Sequence, residues 1–338
     1  MTKFKDIKKF IFLSRNNNLY GFKTLKNLIK IKKKPDLILL PVFQKNNLRS
    51  KTYIKEIFKI NPNKEAIENL ALLNNIRLKR IKTINCSNII RMFKKEKFDL
   101  IFISGGWPEL INKKIFNIPK YSAINIHPSN LPDFRGGDVH RWQIYKESKF
   151  TGISIHNVNE NFDSGSIILK KKILLQIKNP IKLNIKLSSI AANMIKKLLN
   201  KKISPINSIK FKKKTEYYKK WNWLDKNFFY VKRKNYHNLE NFVKASYNIP
   251  NNFNGPYIKL NKKKFIIRSC RIKSQSSKLF NGNFYLTQNN IILKTNKKKR
   301  LCYVNEIQFI DGYNWKNNEV NSKIINKNFN RYFDEKNK

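Results

Sequence analysis

The chain is poor in cysteine, in acidic residues and in long apolar runs. Its three cysteines, Cys86, Cys270 and Cys302, stand far apart. They make neither an even set for disulfides nor the spacing of a zinc site, and they fit a reducing compartment. The four histidines, His127, His140, His156 and His237, include no His-x-x-x-His pair, so no metal site is expected. No segment approaches the ~18 consecutive apolar residues of a membrane span. After the positively charged start, Phe10–Leu13 is too short for the core of a signal peptide. A cytoplasmic protein that avoids the membrane is therefore expected. No Gly-x-Gly-x-x-Gly occurs, which removes the dinucleotide fingerprint.

Against 21 acidic residues stand 72 Lys and Arg, a net charge of +51. Two explanations are open. A basic surface favours polyanions such as RNA through counterion release. AT-rich coding would equally raise Lys, Asn and Ile everywhere, and the basic clusters at Lys32–Lys34, Lys170–Lys172, Lys212–Lys214, Lys262–Lys264 and Lys297–Arg300 are indeed dispersed. With 338 residues, 41% of them hydrophobic, there is room for two domains and a core.

The first half alternates strand and helix. Phe10–Leu13, Leu37–Phe43, Ile76–Ile81 and Phe98–Ile103 read as strands, and Gly21–Ile31, Lys64–Asn75 and Ser87–Lys95 as helices. Residues 44–62 are basic and unpatterned, and read as a loop. Such alternation predicts an α/β fold, a Rossmann-like, mostly parallel sheet with helices on both faces. Ligands in such sheets gather at the carboxyl ends of the strands. Gly165–Leu175 reads as a further strand and Asn184–Leu199 as an amphipathic helix whose Leu187, Ile190, Ala191, Met194, Ile195 and Leu198 are core. A linker is expected at Lys201–Lys214, dividing a catalytic domain, 1–204, from an appended domain, 205–338. The second part holds a short helix, Leu239–Ala245, then short strands between turn residues, which predicts a small β barrel. Tyr218, Trp221, Trp223 and Tyr230 lie among lysines, where they either stack on bases or pack a domain junction.

The chemistry concentrates between Ser122 and Gly165. A strand, Ala123–Ile126, delivers Asn125 and His127 two residues apart, hence on one face. Asn130–Gly137 is a turn-rich loop, Thr151–Val158 another strand, and Asn161–Gly165 the turn that carries Asp163. An Asn, a His and an Asp so placed suit acyl transfer to an amine. The Asn125 amide and a protonated His127 can donate to the oxygen on which charge develops. Asp163 can orient the imidazole and help collect the amine proton.

Asn125-Ile-His-Pro-Ser129, Leu131-Pro132, Phe134-Arg-Gly136, Thr151-Gly152 and Phe162-Asp-Ser-Gly165 together resemble the signature of folate-dependent formyltransferases. The likeness is nearest to the members that act on initiator methionyl-tRNA, and it covers about residues 9 to 200 well. It implies a formyltransferase fold, 10-formyltetrahydrofolate as formyl donor, and Asn125, His127 and Asp163 as the catalytic group. It also implies a folate wall from Gly105, Trp107, Val158, Asn161 and Phe162, with Trp107 either stacking on a flat ring or merely closing a turn. Ser129, Arg135 and Gly136 fall on the acceptor side. There Gly137-Asp-Val-His140 departs from the transfer-RNA members, and Asp138 can cap the helix carrying Trp142. The C-terminal part weakly resembles the family's appended OB-like domain.

The implied function is formyl transfer to initiator methionyl-tRNA by a monomer. The alternatives are an amino-sugar nucleotide as acceptor, hydrolysis of the formyl-folate, or a non-catalytic RNA-binding protein on the same fold.

Overall fold

The computed structural model describes residues 7–42, 66–200, 216–221, 224, 226–247, 255–260, 263–274, 284–286, 291–295, 300–309 and 314–316. The expected loop 44–62, the expected linker 201–214 and Trp223 lie outside the described residues. Two compact units emerge, one of residues 1–143 and 148–220, the other of residues 144–147 and 221–338.

The first unit is built on β1 (Phe10–Leu13), β2 (Leu37–Pro41), β3 (Arg77–Ile81), β4 (Leu100–Ile103), β5 (Ala123–His127), β7 (Phe150–Asn157) and β8 (Ile167–Leu174). They form one sheet in the order β3-β2-β1-β4-β5-β7-β8. The five strands from β3 to β5 pair in parallel, and β7 and β8 add an antiparallel hairpin. The mostly parallel α/β sheet expected from the alternation is present. β1 and β4 are buried at every residue, as strands covered on both faces must be. Alternate residues Ile11, Leu13, Leu37, Leu39, Ile101 and Ile103 join one cluster with Ile89 and Phe93 of α3 (Ser87–Glu96). The intervening Phe10, Phe12, Ile38, Leu40, Leu100 and Phe102 are equally buried.

Local chemistry sets the helix starts. Asn18 accepts from the Gly21 amide ahead of α1 (Leu19–Lys30). Asn179 accepts from the Ile181 and Lys182 amides at 3.0 Å, with Pro180 in the first turn of α6 (Pro180–Leu199). That cap starts α6 four residues before its apolar stripe, which alone had suggested Asn184. α1 and α6 pack on each other. α2 (Ile67–Leu73) and the short α4 (Lys113–Phe116) complete this half, α4 being too short for a periodic signal. Among the described residues no helix is long and apolar enough to cross a membrane.

The second unit carries an antiparallel sheet of β10 (Tyr257–Leu260), β11 (Lys263–Ser274), β14 (Arg300–Phe309), β13 (Ile291–Lys294) and β12 (Phe284–Leu286) in that order, with β15 (Asn314–Lys316) on β14. The register of β11 on β14 shifts between Ile267 and Ser269, an irregularity that bends a strand. α7 (Leu239–Ala245) packs on β11, and its Glu240 accepts from the Ile272 amide at 2.7 Å. Tyr145, Trp221, Phe228, Phe229 and Phe242 form an aromatic cluster. Trp221 is only 1% exposed within it, so it packs the core instead of offering a face to bases.

Close backbone approach decides one residue at the end of the β7–β8 turn. A Cβ at Gly165 would stand 1.8 Å from the Asn157 carbonyl oxygen, in rigid backbone. Gly165→Ala is expected to lower stability by about 1–3 kcal/mol, read as an earlier urea midpoint at unchanged slope. An unchanged midpoint would contradict this packing.

Candidate active site

The site is assembled at the carboxyl end of β5. Pairing of β5 with β7 sets Asn125 opposite His156 and His127 opposite Ser154. The turn after β7 then returns Asp163, in a left-handed conformation at φ 51°, over Asn125 and His127. Asn125 Nδ2 donates to Asp163 Oδ1 at 2.9 Å and lies 3.1 Å from His156 Nε2. His127 Nδ1 is 3.4 Å from the same carboxylate oxygen, and His156 Nε2 is 3.6 Å from it. The Gly136 amide donates to Asp163 Oδ2 at 2.9 Å. The Asp163 side chain is only 10% exposed.

Burial alone would raise the Asp163 pKa. His127, His156 and the Gly136 amide outweigh it, and the carboxyl lies well below the usual carboxylate range. For His127 the balance goes the other way. Burial holds its pKa below the ordinary value, against Asp163 and the Phe134 carbonyl, which raise it. Its Nε2 is 2.8 Å from that carbonyl oxygen. Both ring nitrogens therefore face oxygen acceptors, and only the protonated ring can donate to both.

His156 was not singled out by the sequence pattern. Its Nδ1 sits 2.8 Å from the Asn157 carbonyl oxygen, to which it donates, while Nε2 lies between Asn125 Nδ2 and Asp163 Oδ1. The signal for it was present in the alternation of Thr151–Val158, but its partner is fixed only by the register with β5.

Other sequence-chosen residues separate into two groups. Arg135 and Phe162 reach the Asp163 neighbourhood, Arg135 donating to the Phe162 carbonyl at 2.7 Å. Phe162 is 40% exposed, and Asn161 is exposed on the same turn. Val158 packs against the cluster that contains Trp107 and Ile111. Trp107 itself is buried, and its indole nitrogen has no hydrogen-bond partner among the described residues. Gly105 (φ 88°) is packed shut, since a Cβ there would stand 2.6 Å from Ser14 Oγ and 2.8 Å from Asn18 Oδ1. Its neighbour Gly106 (φ 75°) is the open one, since a Cβ there would meet nothing within 4 Å among the described residues. Ser129 is fully buried and donates to the Asp133 carbonyl at 2.7 Å, where it braces the loop.

The departing segment 137–140 has a packing explanation. Arg135–Gly136 (β6) pairs with Tyr217–Tyr218 (β9), and a Cβ at Gly136 would stand 2.1 Å from the Tyr218 carbonyl oxygen. Gly137 donates its amide to that same carbonyl at 2.9 Å and abuts Lys220. Burial and nearby Arg15 pull the Lys220 pKa down to about 8, with Asp138 opposing. The Asp138 carbonyl receives the Arg141 and Trp142 amides at the start of α5 (Val139–Tyr145). His140 is buried with Nε2 3.3 Å from Asn184 Nδ2. Among the described residues no group of three or more His, Cys, Asp or Glu could hold a metal ion.

Residues 58–183 match the family model described as formyl transferase. The methionyl-tRNA formyltransferase of Wolbachia pipientis subsp. Culex pipiens is 41% identical over 92 residues, 27% of this chain and 31% of that protein. The corresponding enzyme of Wolbachia sp. subsp. Drosophila simulans is 32% identical over 140 residues, 41% of this chain and 46% of its own length. These matches thus span less than half the length of each relative. In fold, the chain is similar to a Helicobacter canadensis N-formyltransferase solved with folinic acid and dTDP-3-aminofucose (TM-score 0.58, 15% identity, 88% of this chain and 98% of that one). It is also similar to HypX of Aquifex aeolicus in complex with tetrahydrofolic acid (TM-score 0.54, 11% identity, 95% of this chain and 47% of that one).

Burial, with the Arg141 charge, holds His140 down to about 4, against Asp138. The folded chain keeps this ring neutral while the unfolded chain protonates below its ordinary 6.5. The unfolded state therefore binds more protons, and stability falls as pH drops from 6.5 towards 4, by about 3 kcal/mol in all. His127 adds to the same trend. Urea unfolding at pH 7 and pH 4.5 is expected to show this decline, and His140→Asn to lessen it; an equal decline in the variant would contradict the assignment.

Proposed function

We propose that the chain, which resembles the folate-dependent formyltransferases and most of all their methionyl-tRNA members, transfers a formyl group from 10-formyltetrahydrofolate to the free amine of initiator methionyl-tRNA. The observation that carries this reading is the convergence of Asn125, His127 and Asp163 within 3.4 Å of one carboxylate oxygen. When the amine attacks the formyl carbon, charge builds on the carbonyl oxygen. The Asn125 amide donates to it, exchanging one of its internal contacts, and the growing charge raises the proton affinity of His127 so that its ring donates too. Asp163 orients His127 and, through water, receives the amine proton. The new C–N bond forms, the bond to the donor nitrogen breaks, and that nitrogen takes up a proton.

For the donor, the open Gly106 at the end of β4 and the apolar Val158 and Phe162 are what a flat ring needs beside polar Asn161, while buried Trp107 backs this wall. Arg135 and Gly136 lie on the acceptor side, with Ser129 supporting them. Of the acceptors, methionyl-tRNA is favoured by the curated relatives and by the net charge of +51. An amino-sugar nucleotide is the alternative acceptor, although residues 137–140, which suggested it, also have a packing role. We assign catalysis to residues 1–204 and acceptor-arm binding to residues 205–338, taking the antiparallel sheet as an OB-like barrel, in a cytoplasmic monomer.

An assay with 10-formyltetrahydrofolate, offering charged initiator tRNA and nucleotide-linked amino sugars in parallel, tests this. Formyl-methionyl-tRNA is expected, with His127→Ala and Asp163→Asn each losing at least about 10²-fold in kcat while the fold persists. A formylated sugar would move the acceptor assignment. Folate hydrolysis alone would make water the acceptor, and RNA binding unaffected by these variants, without turnover, would favour the non-catalytic reading.

A further inference from the structure

The segment Glu216–Lys220 runs beside the catalytic turn, and its two tyrosines have opposite fates. Tyr218 is an anchor. Its ring stacks on Phe134 at 5.3 Å between centroids and tilts against Trp142 at 5.0 Å. Its hydroxyl donates to Glu216 at 2.8 Å, and the Trp142 indole N–H donates to the Lys219 carbonyl at 2.8 Å. The parallel pairing of β9 with β6 then fixes the backbone, with Tyr217 the register partner of Arg135. Successive strand side chains point to opposite faces. Anchoring Tyr218 therefore presents Tyr217 on the other side.

There Tyr217 is 49% exposed, on a stretch whose backbone is paired with β6. Its ring centroid lies 6.5 Å from that of Phe162, itself 40% exposed. The two rings are inclined by 36°, so each keeps a face that the other does not cover. Asp163 and Arg135 are close enough to act on the Tyr217 hydroxyl electrostatically. A half-exposed ring thus stands at the lip of the Asp163 cluster, beside a guanidinium and the exposed Lys219. Aromatic faces next to cationic side chains suit a ligand that is flat at one end and anionic at the other, as a nucleotide is.

We propose that Tyr217 is an acceptor-contacting residue that stacks on a nucleobase of the acceptor while the reactive amine lies over Asn125, His127 and Asp163. This rests on the formyl-transfer reading. The base could belong to the 3′ end of a transfer RNA or to a nucleotide-linked sugar, and both carry the same flat ring and phosphate. Tyr217 is the register partner of Arg135, which lies on the acceptor side in this reading, so its loss is expected to act mainly on the acceptor.

The test compares wild type, Tyr217→Ala and Tyr217→Phe in steady-state formyl transfer, with methionyl initiator tRNA in one arm and dTDP-3-aminofucose in the other. In the productive arm Tyr217→Ala is expected to raise the acceptor KM about tenfold or more, with the folate KM within about twofold of wild type. Tyr217→Phe should restore the wild-type value. Equilibrium binding of uncharged initiator tRNA and of dTDP, by calorimetry, separates the two readings. If no arm turns over but Tyr217→Ala still weakens one of these ligands tenfold, the base contact stands and the formyl-transfer reading falls. The proposal is overturned if Tyr217→Ala leaves acceptor KM and binding unchanged, if it raises both KM values alike, if Tyr217→Phe fails to rescue, or if the wild-type protein binds neither ligand.

Discussion

The structure of the site depends on one buried carboxylate. Asp163 is almost out of water, so its charge must be met by donors or be lost to protonation. It is met by the Asn125 amide on Oδ1 and by the Gly136 amide on Oδ2, with the imidazoles of His127 and His156 close to Oδ1. These partners come from three separate stretches: β5, the loop after it, and β7. Holding the charge therefore holds the stretches together, and removing it would leave the surrounding donors without a common acceptor.

The fold supplies the conditions for this. Parallel strands buried on both faces bring their carboxyl ends to one edge, where β5 can deliver Asn125 and His127. The β7–β8 hairpin adds His156 by register and returns Asp163 in a left-handed turn. Gly136 and Gly165 let backbone approach backbone where any side chain would collide. The loop after β5 closes the arrangement, since Phe134 offers its carbonyl to His127 while Arg135 holds the turn through the Phe162 carbonyl. The result is a rigid polar cluster with an exposed margin at Phe162 and Tyr217.

Much of this was legible in the sequence because it is local. Period-two spacing put Asn125 and His127 on one face, strand–helix alternation announced the parallel sheet, and turn residues located Asp163. What escaped depends on contacts distant along the chain. His156 joins the Asp163 cluster through its register with Asn125, and Tyr217 comes beside Arg135 through the pairing of β9 with β6. Glycine patterning after Ile103 marked a loop at the end of β4, but not that Gly105 serves closure and Gly106 is the open position, a difference set by Ser14 and Asn18 from another loop. Trp107 and Trp221 read as candidate stacking surfaces, but sequence does not reveal burial, and both are packed inside their own units. Ser129 likewise belongs to the motif for its brace on Asp133.

The central claim is that the Asp163 charge organises the proposed catalytic group. Titration of the His127 ring by nitrogen-15 NMR, in wild type and in Asp163→Asn, tests it most directly. Asp163 raises the His127 pKa while burial lowers it, so the account predicts a wild-type value below 6.5 and a lower one in the variant, with backbone signals otherwise preserved. An equal His127 pKa in both proteins would mean that the carboxylate does not act on the imidazole, and would contradict the account.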